Sequence, residues 1–409
     1  METKYLKKLF AYFLIIVPLT VVFAQGKLVL FGIPWYVPEI LIMSAFGALL
    51  FFERMFFLRW RRGIFFFALA LMMGGLLLAT ISNDISLHGY GRMKSWFFFP
   101  LLYGCMLSFA LQKKMISLQG ILWSMFAGGI VIGFSTLLSI VSGGGFSYDH
   151  RLHGFFSSPN HLAMLLGTAL LSGIFLVVSL WEKQGKEKVY LFSGAIFLLA
   201  LLLLTQSYAV IFSLMIALGL RLSAYGKNLS WKKSLALLLG GMVCIGIVFS
   251  LNSGKWQDIT TGSDRSSLAS RTMIWHAALR MIRDHPFVGI GPGNFQEQYL
   301  AYQQYFPPYL EWSAPHPHNM FLDIWLEGGL LAFIGFVMFF LSWLLSSARH
   351  FWQKKNESSL KVLPFLFALY FFGIGMIDVP FLRNDLAYFF VTAFVISRYE
   401  MTRDFYREI

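Results

Sequence analysis

Two histidines, His316 and His318, flank Pro317 just before an apolar run that follows Asn319. An imidazole at a helix start meets the positive end of the helix dipole. That disfavours the imidazolium and leaves a neutral ring able to accept a proton. An ordinary interfacial histidine fits the same pattern, and the sequence leaves both readings open. A His-X-His pair is also half of a metal site, but no carboxylate or cysteine cluster stands near it in the chain, so no metal is expected.

Upstream, Ser267 reads as the N-cap of a helix over residues 268–283. On its wheel Arg271, Trp275, Ala278, Leu279 and Ile282 share one face, and His276, Arg280 and Arg283 share the opposite one. A cation on an apolar stripe calls for an anion, either a protein carboxylate or a bound ligand. The run Gly289-Ile290-Gly291-Pro292-Gly293-Asn294 has no strand before it and reads as a tight loop rather than a nucleotide cradle. Asn294 with Glu297 reads as a capping box. Phe295, Tyr299, Tyr302 and Phe306 then follow helical spacing as far as Pro307-Pro308, a face for packing or for stacking on a sugar. Asp323 and Glu327 stand four apart in the apolar run after His318, and Glu39, Asp378 and Arg383 lie near the ends of other runs. Ionisable groups at that depth suggest a polar pocket or structural pairs.

The elements that must position these groups are apolar. The chain has 409 residues, 57% hydrophobic and 13% charged, with a net charge of +13. A soluble domain carries about 25% charged residues. Runs long enough to cross a bilayer recur along its length, which makes it an all-α polytopic membrane protein of about twelve transmembrane helices. They lie near 9–24, 36–53, 64–82, 96–111, 119–142, 161–181, 189–204, 208–223, 234–252, 319–346, 362–379 and 386–398. Both cysteines fall in apolar runs and give no disulfide framework.

Of the 33 basic residues, 23 collect in one alternating set of loops. The positive charge therefore reads as membrane topology rather than nucleic-acid binding. It places both termini in the cytoplasm and the long polar segment outside. Residues 1–252 then carry nine helices, 253–318 form an outer loop with helices of its own, and 319–409 carry three helices and the cytoplasmic C-terminus. Lys4, Lys7 and Lys8 imitate a secretory signal, but the many further spans favour an uncleaved first helix.

Several stretches together resemble the O-antigen ligase and polymerase superfamily. They are Arg151 to Gly154 followed by Pro159-Asn160, Arg271 to Trp275 with the glycine run, and His316-Pro317-His318-Asn319 with Glu327-Gly328-Gly329. The resemblance is strongest from about 151 to 330, with Ala332 where the ligase pattern has a later glycine.

The resemblance implies a GT-C-like fold. It implies a glycan donor on undecaprenyl diphosphate and, for a ligase, a sugar hydroxyl of lipid A–core as acceptor. The active site would face the periplasm of the bacterial inner membrane, with neither metal nor cofactor. His318 would match the base, Arg271 the arginine on the diphosphate, and grooves between spans would hold the prenyl tail. Arg151, Asn160, His316, Asn319, Glu327 and Tyr208 would position donor or acceptor. Tyr208 is a departure, because the family usually has an arginine at that turn; a tyrosine donates one hydrogen bond and supplies no positive charge. An O-antigen polymerase, a protein O-oligosaccharyltransferase and a lipid-linked sugar transporter are the alternatives.

Overall fold

The computed structural model describes residues 2–30, 33–53, 63–83, 87–147, 149–180, 185–225, 246, 267–305, 314–354 and 359–403. Its helices are α1 (Glu2–Thr20), α2 (Val37–Phe52), α3 (Ile64–Ser82), α4 (Leu87–Arg92), α5 (Phe99–Gln112), α6 (Leu118–Val141) and α7 (Pro159–Ser179). They continue as α8 (Glu187–Leu204), α9 (Tyr208–Tyr225), α10 (Ser267–Asp284), α11 (Phe295–Tyr302), α12 (Met320–Lys354), α13 (Ser359–Gly375) and α14 (Asn384–Thr402). A π-helical turn, Met93–Phe98, joins α4 to α5.

Among the described residues, seven helices are long and apolar enough to cross a membrane, and three shorter apolar ones accompany them, so the chain fits a multi-pass membrane protein. Helices coincide with eleven of the twelve expected spans; the ninth, near 234–252, lies outside the described residues except at position 246. The structure is not all-helical. β1 (Lys27–Leu30) and β2 (Ile33–Tyr36) pair antiparallel between α1 and α2, where strand-prone Val29, Ile33, Trp35 and Tyr36 fall opposite partners.

Backbone groups in an apolar bundle must be satisfied internally. Pro18 lies inside α1 and has no N–H for the carbonyl of Leu14. The buried hydroxyl of Tyr103 donates to that carbonyl at 3.2 Å, and Ser124 donates to the neighbouring carbonyl of Ile15. Close helix approach needs small residues. A Cβ on Gly75 would lie 2.4 Å from Ala332 N, and one on Gly335 would lie 2.4 Å from Met72 N. Ala332, the departure from the ligase pattern, thus seats its methyl against Gly75 where α3 and α12 touch.

The helix α12 is broken once. Gly329 has φ 67° and ψ −169° inside it. The glycine loop fills the gap: Ile290 N–H donates to Leu326 O at 2.7 Å, and Leu330 N–H donates to Pro286 O and Phe287 O at 3.1 Å each. The polar segment is thereby docked onto the apolar bundle. Gly289, Gly291 and Gly293 have φ of 72°, 85° and 91°, which is the tight loop that the sequence implied.

Candidate functional site

At one end of the bundle, loops from four parts of the chain meet. The helix α12 begins after Asn319, whose Oδ1 accepts from the N–H groups of Phe321 and Leu322 at 3.0 and 3.1 Å. That N-cap fixes His318 just before the helix, with φ 50°. Asn319 also donates through Nδ2 to Met376 O at 3.1 Å, at the end of α13. The loop that follows α13 carries Asp378.

Asp378 organises the centre. Its Oδ1 lies 3.0 Å from His316 Nε2 and 3.4 Å from His318 Nδ1. The two rings are 4.3 Å apart. Oδ2 accepts from Asn160 Nδ2 at 3.1 Å. The Oδ1 of Asn160 in turn accepts from Arg151 Nη2 at 2.8 Å. Arg151, Asn160, Asp378 and the two histidines form one continuous chain of contacts from the loop before α7 to the start of α12.

Burial raises the Asp378 carboxyl, but His318 and His316 outweigh it and hold it well below the ordinary carboxylate range. Burial depresses His316 to about 4; His318 adds to this and Asp378 opposes it. The favoured state is an ionised Asp378 beside a neutral His316 whose Nε2–H points at it. If His318 likewise turns Nδ1–H towards Asp378, its Nε2 is left as an acceptor. The sequence reading found no carboxylate for this histidine pair. The structure supplies one from far along the chain, and the three ligand atoms lie within 4.8 Å of one another, close enough to hold a metal ion.

Arg151 is set by its own loop. Leu152 N–H donates to Leu204 O at 3.0 Å, pinning the loop against the end of α8. Arg151 Nε donates to Thr205 O at 2.9 Å, in the turn that leads to Tyr208 at the head of α9. Burial lowers the Arg151 guanidinium; Asp149, Tyr208 and Asp378 oppose this and Arg271 reinforces it. The group stays protonated at neutral pH. Tyr208, Arg271 and Asp378 are therefore within electrostatic reach of Arg151.

Arg271 is half-buried on α10, but not on the face read from the wheel. The buried stripe is Met273, Ile274, Ala277, Ala278, Met281 and Ile282, and Leu279 is exposed. Packing against α11 and the first turns of α12 turns the helix so that Arg271 and Trp275 lie along its edge. From there Trp275 Nε1 donates to Pro317 O at 2.9 Å, holding the histidine loop.

Glu327 has a partner of its own. It is buried and accepts from Arg92 Nη1 at 2.6 Å and from Gly293 N–H at 3.4 Å. Glu39 takes Lys94 instead, at 2.5 Å. Glu327 and Glu39 are thus each taken up in an ion pair, the alternative that the sequence left open beside a polar pocket.

The expected capping box at Asn294 does not form, because its side-chain amide turns back to Ile290 O at 2.7 Å. Phe295 and Tyr299 are stacked and buried against α10, which removes them as a sugar platform. Phe306 and the Pro307-Pro308 stop lie outside the described residues.

A second imidazole–carboxylate pair went unread in the sequence. His161 Nε2 lies 2.7 Å from Asp385 Oδ2, and Ser157 Oγ lies 3.2 Å from His161 Nδ1. His161 and Asp385 are both buried, joining the start of α7 to the start of α14. The adjacent Asn160 was the available signal, since residues on the first turn of one helix share its surroundings.

Comparison with known proteins adds a family match and a distant relative. Residues 193–337 match the family described as O-Antigen ligase. That stretch holds Tyr208, Arg271, His316, His318, Asn319 and Glu327. The chain is also similar to the ComP-specific O-oligosaccharyltransferase of Acinetobacter baylyi (strain ATCC 33305 / BD413 / ADP1), 26% identical over 243 residues. The match covers 58% of this chain and 42% of that protein, so the chain spans less than half the length of this relative.

Proposed function

From its membership of the O-antigen ligase superfamily, we propose that this chain is a membrane glycosyltransferase moving a glycan from a lipid diphosphate to an acceptor hydroxyl. The donor is a glycan on undecaprenyl diphosphate, and the acceptor is a sugar hydroxyl of lipid A–core. The site end of the bundle faces the periplasm of the inner membrane, in line with the distribution of basic residues.

The observation that carries the reading is the placement of His318. It stands at the N-terminus of α12 with Nδ1 3.4 Å from the Asp378 carboxylate. Nε2 takes the proton of the acceptor hydroxyl as the oxygen attacks the anomeric carbon. The carbon–oxygen bond to the diphosphate breaks on the opposite face, its electron pair leaves with the lipid diphosphate, and the anomeric centre inverts. Asp378 orients the ring and stabilises the imidazolium. Arg271 stabilises the charge gathering on the leaving diphosphate. His316 shares Asp378 and remains neutral, so it does not compete for the proton.

The similarity to the ComP-specific O-oligosaccharyltransferase of Acinetobacter baylyi favours a second reading, in which the acceptor is a protein hydroxyl. Reconstitution of the purified chain with lipid-linked glycan decides between them. Product on lipid A–core supports the ligase reading and product on a polypeptide the second. Longer lipid-linked chains mean a polymerase, and movement of the lipid without transfer means a transporter; either of the last two overturns the proposal.

A further inference from the structure

Two tightly packed helix pairs leave a long apolar cavity between them. On one side α3 lies against α12, where a Cβ on Gly335 would fall 2.4 Å from Met72 N. On the other α5 lies against α14, where a Cβ on Gly104 would fall 2.4 Å from Val391 Cγ1. The cavity runs along the seam between these pairs and holds about 350 Å³. Its walls are mostly apolar, with Phe65, Phe97, Phe339 and Phe390 among them. Phe66 on its rim is 46% exposed, so the seam opens on the outside of the bundle. An apolar cavity of this kind excludes water and takes hydrocarbon. The lining residues of α14 run from Ala387 to Thr402, roughly 22 Å at about 1.5 Å per residue, room for one extended chain.

The two ends differ. One reaches Trp96 and Phe381, close to the loop that bears Asp378. There Arg92 stacks on Trp96 at 4.3 Å, but its charge is met by Glu327 at 2.6 Å. The other end reaches Gln112, Arg398 and Thr402. The guanidinium carbon of Arg398 lies 4.3 Å from the centre of the Phe65 ring. Such stacking engages the face of a guanidinium, whereas its N–H donors lie along the edge. Glu400, two residues on, is held by Lys361 at 3.8 Å and by Arg403 at 3.2 Å, so cations outnumber this carboxylate before Arg398 is counted. The exposed Lys113 and Lys114 follow Gln112 at the same mouth. An apolar channel with a positive mouth fits an amphiphile with an acidic head. The donor's prenyl chain fits it less well, since a diphosphate beside His318 brings its charge to the opposite end.

We propose that the seam between α3, α5 and α14 binds an anionic phospholipid, its phosphate at Arg398 and one acyl chain among the rings. The head lies at the end of the bundle away from Asp378, and no step of the proposed transfer uses it. A chain in the seam adds contacts between the two helix pairs, so the bound lipid also stabilises the bundle.

The test uses the purified full-length protein in neutral detergent, with dioleoyl phosphatidylglycerol and dioleoyl phosphatidylcholine as probes. The anionic lipid should bind roughly 10-fold more tightly, the gain from one charge-assisted contact, and should raise the melting temperature more. Arg398→Gln should bring phosphatidylglycerol to the level of phosphatidylcholine and leave the latter within about twofold. If Arg398→Gln does not fold, the unaltered protein still decides. Phosphatidylglycerol with a photoreactive acyl chain should crosslink to the lining stretches of α3, α5 and α14. An equal concentration of undecaprenyl phosphate should displace it less than unlabelled phosphatidylglycerol does. Equal affinity for the two probes, a preference that survives in folded Arg398→Gln, or crosslinks outside the seam overturn the assignment. Stronger displacement by undecaprenyl phosphate gives the seam to the donor chain and overturns it as well.

Discussion

His318 Nδ1 stands 3.4 Å from Asp378 Oδ1, although the two residues belong to loops separated by the whole of α12 and α13. Asp378 is 4% exposed, and an Nδ1–H turned towards it leaves Nε2 for the acceptor. His318→Ala should lower turnover by roughly 10²-fold to 10⁴-fold, the usual span for general-base help. Donor binding should persist, since the base acts on the acceptor proton. Asp378→Asn should lower turnover less and leave donor affinity unchanged. Near-full transfer by a well-folded His318→Ala protein would falsify the mechanism.

The proposed mechanism gives Arg271 a different task, and its variants should show it. Arg271→Ala should weaken donor binding as well as turnover, because the phosphates are contacted before and during transfer. Arg271→Lys should recover part of both, keeping the charge but losing the planar fork. Donor titration and steady-state rates on the same preparations separate the two effects. Unchanged donor affinity in Arg271→Ala would remove it from the diphosphate site.

The histidines and Asp378 are close enough to ligate an ion, so metal dependence is a sharp question here. In the proposed mechanism they carry and orient a proton instead. Transfer in the reconstituted system should survive EDTA. Loss with chelator and recovery with a divalent cation would assign the cluster to a metal.

Acid should destabilise this site in a defined window. His316 titrates near 4 in the folded protein, against 6.5 for a free imidazole. Between those values the unfolded chain binds a proton that the folded site refuses, so stability falls as pH drops from about 6.5 to about 4 and this loss then levels off. The change is at most about 3 kcal/mol. Asp378 acts lower down, because its depressed carboxyl keeps its contribution until pH falls through the folded value. Melting temperatures from pH 7 to pH 4 should decline, and His316→Gln should flatten the decline. An unaltered slope in that variant would place the sensitivity elsewhere.

Gly329 tests how the polar segment is docked. Its φ of 67° disfavours any side chain, and a Cβ would lie 2.1 Å from Phe287 O. Gly329→Ala should cost roughly 3 kcal/mol or more. The readout is folded yield and melting temperature in detergent. A normally stable Gly329→Ala protein would mean that the break in α12 can be closed without the glycine loop.

What was legible in the sequence divides by range. The start of α12 could be read because Asn319 caps its own helix, a contact spanning three residues. The tight glycine loop could be read because left-handed backbone selects glycine locally. The partner of the histidines could not, since nothing near His318 indicates that Asp378 will fold back onto it. The face of α10 was misjudged for a related reason. A wheel ranks residues by apolarity, whereas α11 and α12 decide which side is covered, and they cover Ile274 and Ala277 rather than Leu279. At Asn294 the capping pattern was present, but the nearby Ile290 carbonyl competed for the same amide.

Asn319 has a mechanical consequence. One end of its amide starts α12 beside His318, and the other grips Met376 O two residues before Asp378. The loop that bears the proposed base and the loop that bears Asp378 are therefore tied through one side chain. A displacement of either loop is resisted by that amide, which holds the spacing between ring and carboxylate.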